Sequence, residues 1–67
     1  MRFRRIEDLR VDSDKTQIAA ANMLGCHRNV YARYEKGTHD IPVWALIKLS
    51  QYYGVTTDYI LGLSDER

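Results

Sequence analysis

The sequence predicts an all-α fold, a five-helix bundle that forms one domain over residues 1–67. Three observations predict it. Apolar residues recur three or four positions apart, and no segment alternates apolar and polar residues over a useful length. Glycines and the one proline stand where such helices would end or begin. With 67 residues and an apolar fraction of 45%, the chain can build one small core, and we expect no second domain.

The first two helices are indicated by local signals. Helix one is expected at about residues 3–11, with Ile6 and Leu9 on one face. Helix two is expected at residues 17–24, because Thr16 can cap it and Gly25 can end it. Its predicted apolar side consists of Ile18, Ala21 and Leu24.

The other three helices follow the same rules. Helix three is expected at about residues 28–35, with its tyrosines Tyr31 and Tyr34 buried. Helix four is expected at about residues 42–53, because Pro42 suits a first helical turn and Gly54 the position after the end. Its predicted apolar side consists of Val43, Leu46, Ile47, Ser50 and Tyr53. A short fifth helix is expected at about residues 58–61, capped by Thr56 or Thr57.

Helices two and three, joined by a glycine-containing turn, have the layout of a helix-turn-helix, whose second helix can enter the DNA major groove. The motif T-Q-x-x-x-A-x-x-L-G, followed by Y-E-K-G, resembles the Cro/repressor-type (XRE-like) helix-turn-helix family of bacterial and phage transcriptional regulators. The resemblance extends over roughly residues 4–63 and includes Ile41-Pro42, Leu46-Ile47-Lys48-Leu49, Tyr52-Tyr53-Gly54-Val55 and Asp58-Tyr59-Ile60-Leu61-Gly62. It implies a sequence-specific regulator, in most cases a repressor, that binds double-stranded DNA.

The outer face of helix three is the predicted reading face. The resemblance implies that the residues at these positions reach base edges, and here they are His27, Arg28, Asn29, Ala32 and Arg33. Their chemistry suits the role, since arginine can donate two bonds to guanine, asparagine can pair with adenine, and a methyl can pack on thymine. The alternative is a merely solvated face, in which the two arginines are partnered with Glu35 or with aspartates. His27 stands where the family usually has Ser or Thr, and its proton uptake near neutral pH predicts pH-sensitive DNA affinity.

The predicted phosphate contacts flank that helix. The resemblance implies that Gln17, at the start of helix two, grips a backbone phosphate, and helix N-termini do bind anions. Its alternative role is simple capping of the helix. Further candidate phosphate contacts are Thr16, Lys36, Thr38 and His39. The resemblance also implies that Arg10 and Glu35 pair and brace the reading helix against helix one.

Charge and composition bound the remaining possibilities. The net charge is only +1, but residues 26–39 hold Arg28, Arg33 and Lys36 against Glu35 alone. There is no long apolar run, so we expect no membrane span or signal peptide and a cytoplasmic protein. The single cysteine, Cys26, is interpreted as a core residue, with a redox role as the alternative.

No enzyme is expected, because no side-chain arrangement for nucleophilic catalysis is visible. A zinc site from Cys26, His27 and His39 would lack both the usual spacing and a fourth ligand, so no metal, cofactor or small-molecule effector is expected. RNA binding is disfavoured, since no platform of aromatic side chains suits base stacking. The main alternative function is a protein-interaction module that has lost specific DNA binding.

The regulator is expected to bind a palindromic operator as a dimer, with half-sites about 34–36 Å apart. The expected dimer is weak in free solution and is strengthened by DNA. Because the chain shows no appended dimerisation domain, the interface is expected on this domain's own surface. Its candidate residues are Trp44, Tyr52, Tyr59 and Leu63.

Overall fold

The computed structural model describes all 67 residues and contains five helices. The helices are α1 Arg4–Asp12, α2 Gln17–Leu24, α3 Arg28–Lys36, α4 Val43–Tyr53 and α5 Thr57–Leu61. The prediction of an all-α, five-helix domain is therefore confirmed. The order and number of helices agree with the sequence, and the ends differ from the expected ends by one residue at most.

The caps explain these small differences. Pro42 is the N-cap of α4 in an extended conformation, so the helix begins at Val43 rather than at the proline. Thr56 caps α5, because its Oγ1 accepts the backbone N–H of Tyr59 at 3.0 Å. Helix α2 ends at Gly25, whose φ of +74° lies in the left-handed region that glycine adopts without strain.

The core forms where the five helices meet. Tyr31 of α3 and Leu49 of α4 are fully buried at its centre, and α1 contributes Ile6 and Leu9. Helix α2 packs mainly on α3, and α5 packs on both α1 and α4. This arrangement fixes the inner side of α3 and leaves its other side facing solvent.

Two predicted apolar faces were wrong in part. In α2, Ile18 is 54% exposed, and Ala20 is buried beside Ala21 and Leu24. In α4, Val43 is 70% and Ile47 is 45% exposed, while the buried side consists of Ala45, Leu46 and Leu49. Apolar residues occur on more than one side of both helices, so spacing alone does not select the packed side. The packed sides carry alanines, whose small side chains let the helices approach closely. In α3, Tyr31 is buried as predicted, but Tyr34 is only half-buried.

The last four residues fold back on α1 and α5. Arg5 donates to the backbone carbonyls of Tyr59 at 2.8 Å and Ser64 at 2.6 Å, and to the carboxylate of Asp65 at 2.6 Å. The guanidinium groups of Arg5 and Arg67 both lie against the Tyr59 ring, 4.1 Å and 5.2 Å from its centroid. The Tyr59 ring is thus half-buried by its own chain.

Candidate nucleic-acid interface

Helix α3 presents a polar outer face that is rich in hydrogen-bond donors. His27, Arg28, Asn29 and Arg33 are exposed on it, and Ala32 is half-buried among them. Neither arginine side chain forms an ion pair or a hydrogen bond within the protein. The alternative, in which these arginines form ion pairs with Glu35, is not found, because the Glu35 carboxylate points toward the interior of the protein. Both guanidinium groups are therefore free to bind a partner.

The rear of α3 is fixed by a buried carboxylate. The Glu35 side chain is only 1% exposed, and its Oε2 accepts from Arg10 Nε at 2.6 Å. Its Oε1 accepts from a second Arg10 nitrogen at 3.3 Å and from Gln17 Nε2 at 3.1 Å. Arg10 also donates to the carbonyl of Lys15 at 2.9 Å, just before α2 begins. One carboxylate thus joins α1, α2 and α3.

The ionisation of this cluster follows from its surroundings. Burial acts to raise the pKa of Glu35, but the hydrogen bonds from Arg10 and Gln17 and the nearby Tyr31 hydroxyl outweigh it, so the net pKa is lowered. The pKa of Tyr31 is raised, mainly by burial and then by the adjacent Glu35 carboxylate. The Tyr31 hydroxyl nevertheless lacks a partner in good hydrogen-bonding geometry. Glu35 is therefore charged at neutral pH and held by Arg10 above all.

The start of α2 opens onto a shallow basic groove. Thr16 caps the helix by accepting the Ala19 N–H at 3.0 Å, which leaves its O–H free to donate. The side chain of Gln17 donates to Glu35, and the backbone N–H of Gln17 is one of the first-turn donors that the helix itself does not use. Lys15 was not among the predicted phosphate contacts, but it lines the same groove together with Arg10 and Arg28. Its position next to the T-Q pair was the available signal.

The end of α3 and the loop after it carry the other predicted phosphate contacts. Lys36 is the last residue of α3, Thr38 and His39 follow in the loop, and all three are exposed. Gly37 ends α3 with a φ of +79°, and a Cβ at this position would lie 2.8 Å from the Cβ of Arg2. The beginning of the chain therefore packs directly on the glycine that separates the reading helix from this loop.

His27 caps the reading helix. Its Nδ1 accepts the backbone N–H of Asn29 at 3.1 Å, while its own backbone is extended. The imidazole thus performs the role that a serine or threonine hydroxyl performs at other helices. Cys26, just before it, is half-buried against the core, and burial raises the pKa of its thiol.

The candidate dimer residues differ in accessibility. Trp44 and Leu63 are well exposed, and Tyr52 is just exposed, with its ring edge against Tyr53. Tyr59 is the least available, since Arg5 and Arg67 cover its ring.

None of the helices has the length and apolar character needed to cross a lipid bilayer.

An all-α domain with a tight turn between α2 and α3, and a donor-rich outer face on α3, is a helix-turn-helix domain of the kind that DNA-binding transcriptional regulators carry. Residues 6–60 match the Helix-turn-helix family, so the chain belongs to that family, and its XRE-like resemblance is confirmed.

Three curated relatives are similar to this chain. The cryptic phage CTXphi transcriptional repressor RstR of Vibrio cholerae is 43% identical over 76% of the chain and 46% of its own length. The HTH-type transcriptional regulator ImmR of Bacillus subtilis is 37% identical over 88% of the chain and 46% of its own length. The uncharacterized HTH-type transcriptional regulator YobD of Bacillus subtilis is 33% identical over 98% of the chain and 59% of its own length. The chain thus spans about half the length of these relatives, which are named as regulators and not as enzymes.

Proposed function

We propose that this domain binds double-stranded DNA sequence-specifically and serves a cytoplasmic transcriptional repressor, with α3 lying in the major groove. The observation that carries the proposal is the pair of unpartnered arginines on the outer face of a helix whose rear is fixed. Arg28 and Arg33 are exposed and unpaired, although Glu35 lies on the same helix. A solvated helix face without a function would have no need of so rigid a support.

The chemistry of the exposed side chains indicates which base each of them would read. Arg28 and Arg33 each suit a guanine, to which a guanidinium donates two parallel bonds, and Asn29 suits an adenine. Each such bidentate pair contributes about 1–3 kcal/mol of discrimination against the wrong base. Ala32 is placed to pack on a thymine methyl, and exposed His27 lies at the edge of the same surface.

Phosphate contacts on both sides of α3 would orient it. On one side, the first turn of α2 and Lys15 line the basic groove. Gln17 contributes its backbone N–H there, because its side chain holds Glu35. On the other side, the end of α3 contributes Lys36 and the loop after it contributes Thr38 and His39, all of which are exposed. Arg10 and Glu35 brace the reading helix between these two anchors.

A palindromic operator requires two copies of the domain. Half-sites one helical turn apart are separated by about 34–36 Å, whereas the longest dimension of this domain is 29 Å. One copy therefore cannot reach both half-sites. We assign the dimer contact to exposed apolar residues of this domain, with Trp44, Tyr52 and Leu63 better placed than Tyr59. The dimer is weak without DNA, so sedimentation of the free protein at low micromolar concentration should show a monomer. A stable dimer at that concentration would contradict the proposal that the dimer is weak.

Selection from randomised duplex DNA tests the proposal. The wild-type protein should enrich a palindromic motif, and an Arg28→Ala/Arg33→Ala variant should lose it. A control that removes a cation elsewhere is Arg4→Ala, whose side chain is exposed and unpaired on α1. That control should enrich the same motif as the wild type. Salt-sensitive binding without any motif would instead indicate a non-specific role.

A protein-interaction module is the second candidate, and one observation favours it. Helix α4 exposes Val43, Trp44 and Ile47, with Trp44 49% exposed. Aromatic and aliphatic side chains of this kind are typical of protein interfaces. No enrichment of DNA at any salt concentration would favour this function, and Trp44→Ala would then be the first variant to test for loss of a partner.

A further inference from the structure

The reading helix differs from the other capped helices in the chemistry of its cap. Three helices have a side-chain cap, and in α2 and α5 the acceptor is a threonine hydroxyl. In α3 it is the Nδ1 atom of His27, 3.1 Å from the backbone nitrogen of Asn29. A hydroxyl can accept a hydrogen bond at any ordinary pH, whereas an imidazole nitrogen can accept only while it carries no proton. The cap of α3 therefore exists in one protonation state only.

The acceptor role also fixes the tautomer. Because Nδ1 uses its lone pair for the Asn29 N–H, the single proton of the neutral ring must be on Nε2. The side chain is exposed, so its Nε2–H is accessible to solvent as a donor. Neutral His27 would thus offer DNA one directed N–H and not a positive charge.

His27 has no acidic residue within five positions on either side along the chain. It takes part in no ion pair, α2 has no charged side chain, and the residue before it is the half-buried Cys26. Arg28 follows directly at the first position of α3, and the first turn of that helix holds no acidic residue. A proton on His27 would add a second positive charge at the positive end of the helix dipole and would remove the acceptor.

We propose that neutral His27, as the Nε2–H tautomer, is a positioning residue for DNA reading: it caps α3 through Asn29 and thereby holds Arg28 and Asn29 in their reading positions. Protonation of His27 releases the Asn29 N–H and loosens the first turn of α3. Sequence discrimination then falls as the pH drops below neutral, even though the positive charge on His27 strengthens the attraction to DNA phosphates. The part of this inference that concerns DNA rests on the proposed function, and the capping part does not.

The first experiment uses the full chain without DNA. In ¹⁵N-labelled protein at pH 8, a scalar coupling through the hydrogen bond should join the Asn29 amide nitrogen to His27 Nδ1, and Nε2 should carry the proton. On acidification to pH 5 the coupling should disappear as the imidazole gains its second proton. A proton on Nδ1 at pH 8, with no coupling to Asn29, would overturn the proposal.

The second experiment measures discrimination, as the ratio of affinities for the selected motif and for a scrambled duplex. This ratio is used because phosphate attraction contributes to both affinities. Between pH 8 and pH 5.5 the wild-type ratio should fall roughly two- to thirty-fold, which is the range expected for loss of a cap. His27→Ser, which keeps an acceptor for the Asn29 N–H but does not titrate, should show the same ratio at both pH values. His27→Ala should show the low ratio at both.

The two experiments separate two kinds of failure. An His27→Ala ratio equal to that of the wild type, with both proteins folded and binding DNA, would overturn the positioning role and leave the proposed function intact. If no variant prefers any duplex, the proposed function fails, and the coupling to Asn29 still decides whether His27 is the cap. A wild-type ratio that does not change between pH 8 and pH 5.5 would also overturn the positioning role of His27.

Discussion

Removing the Arg10 side chain is the sharpest test of how α3 is held. An Arg10→Met variant keeps an unbranched side chain of similar length but loses both bonds to Glu35 and the bond to the Lys15 carbonyl. The Glu35 carboxylate, 1% exposed, would keep Gln17 as its one hydrogen-bond donor in the present geometry. Breaking a buried pair in this way costs about 3–5 kcal/mol, because a buried charge is left without its counterion.

That cost is large relative to the stability of so small a domain. At about 0.05–0.15 kcal/mol per residue, 67 residues correspond to about 3–10 kcal/mol in total. Arg10→Met should therefore remove at least about 30% of the free energy of unfolding. The matched control is Arg4→Met on the same helix, where the side chain is exposed and unpaired, and it should change the free energy by less than about 0.5 kcal/mol.

Urea denaturation at pH 7 measures the free energy of unfolding of Arg10→Met, of Arg4→Met and of the double variant Arg10→Met/Glu35→Met. We expect Arg10→Met/Glu35→Met to be more stable than Arg10→Met alone, because the unpaired charge is gone. The pH dependence has a defined sign. Since the pKa of Glu35 is lowered in the folded protein, its contribution is present above the ordinary carboxyl pKa and is lost as the pH falls through the lowered value. A cost below about 1 kcal/mol for Arg10→Met would refute the reasoning, since that is the range of a surface pair.

Three further substitutions test other parts of the fold. Gly37→Ala should lower the free energy of unfolding by about 1–3 kcal/mol in urea denaturation, because φ is +79° and the new Cβ would meet Arg2 at 2.8 Å; no loss would show that the start of the chain does not pack there. Leu49→Ala should cost about 2–5 kcal/mol in the same assay, and Val43→Ala, on the exposed side of the same helix, should cost less than about 0.5 kcal/mol. Equal costs would mean that the packed face of α4 is misassigned. Burial and the neighbouring Tyr52 raise the pKa of Tyr53 to about 12, and its hydroxyl has no hydrogen-bond partner. Tyr53→Phe should thus leave the melting temperature unchanged or raise it, and a marked drop would reveal a partner for that hydroxyl.

Local chemistry explains why the helices could be predicted from the sequence. Thr16 caps α2, Gly25 ends it in the left-handed conformation, and Pro42 stands at the start of α4. Each of these signals depends on residues only a few positions away, so it can be read without knowledge of the tertiary structure. The helix-turn-helix arrangement followed from the same signals and was confirmed with the family.

Packing direction and long-range bonds could not be predicted in this way. Val43 and Ile47 belong to an apolar pattern that continues around α4, and only contact with α2 and α5 decides that Ala45 and Leu49 face inward. The bond from Gln17 to Glu35 spans 18 residues and gives that side chain a partner inside the protein. Such bonds depend on where other helices lie, which no local pattern contains.

The exposed side of α3 is the part of the candidate site that the sequence anticipated best. Burial of Tyr31 orients the helix, and the exposure of Arg28, Asn29 and Arg33 follows from helical geometry once that orientation is known. Their contacts with DNA remain a prediction. The role of His27 as a cap needed the structure, because histidine is not among the residues preferred at that position.

Removal of a single guanine N7 from the operator tests base reading by α3 most directly. With 7-deazaguanine at the position assigned to Arg28, the wild-type protein should lose about 1–3 kcal/mol of binding free energy, which corresponds to roughly five- to 150-fold in affinity. The Arg28→Ala variant, already lacking that contact, should bind both duplexes equally, and the same experiment applies to Arg33. An equal loss in wild type and variant, or no loss in either, at every guanine of the selected motif would contradict the account.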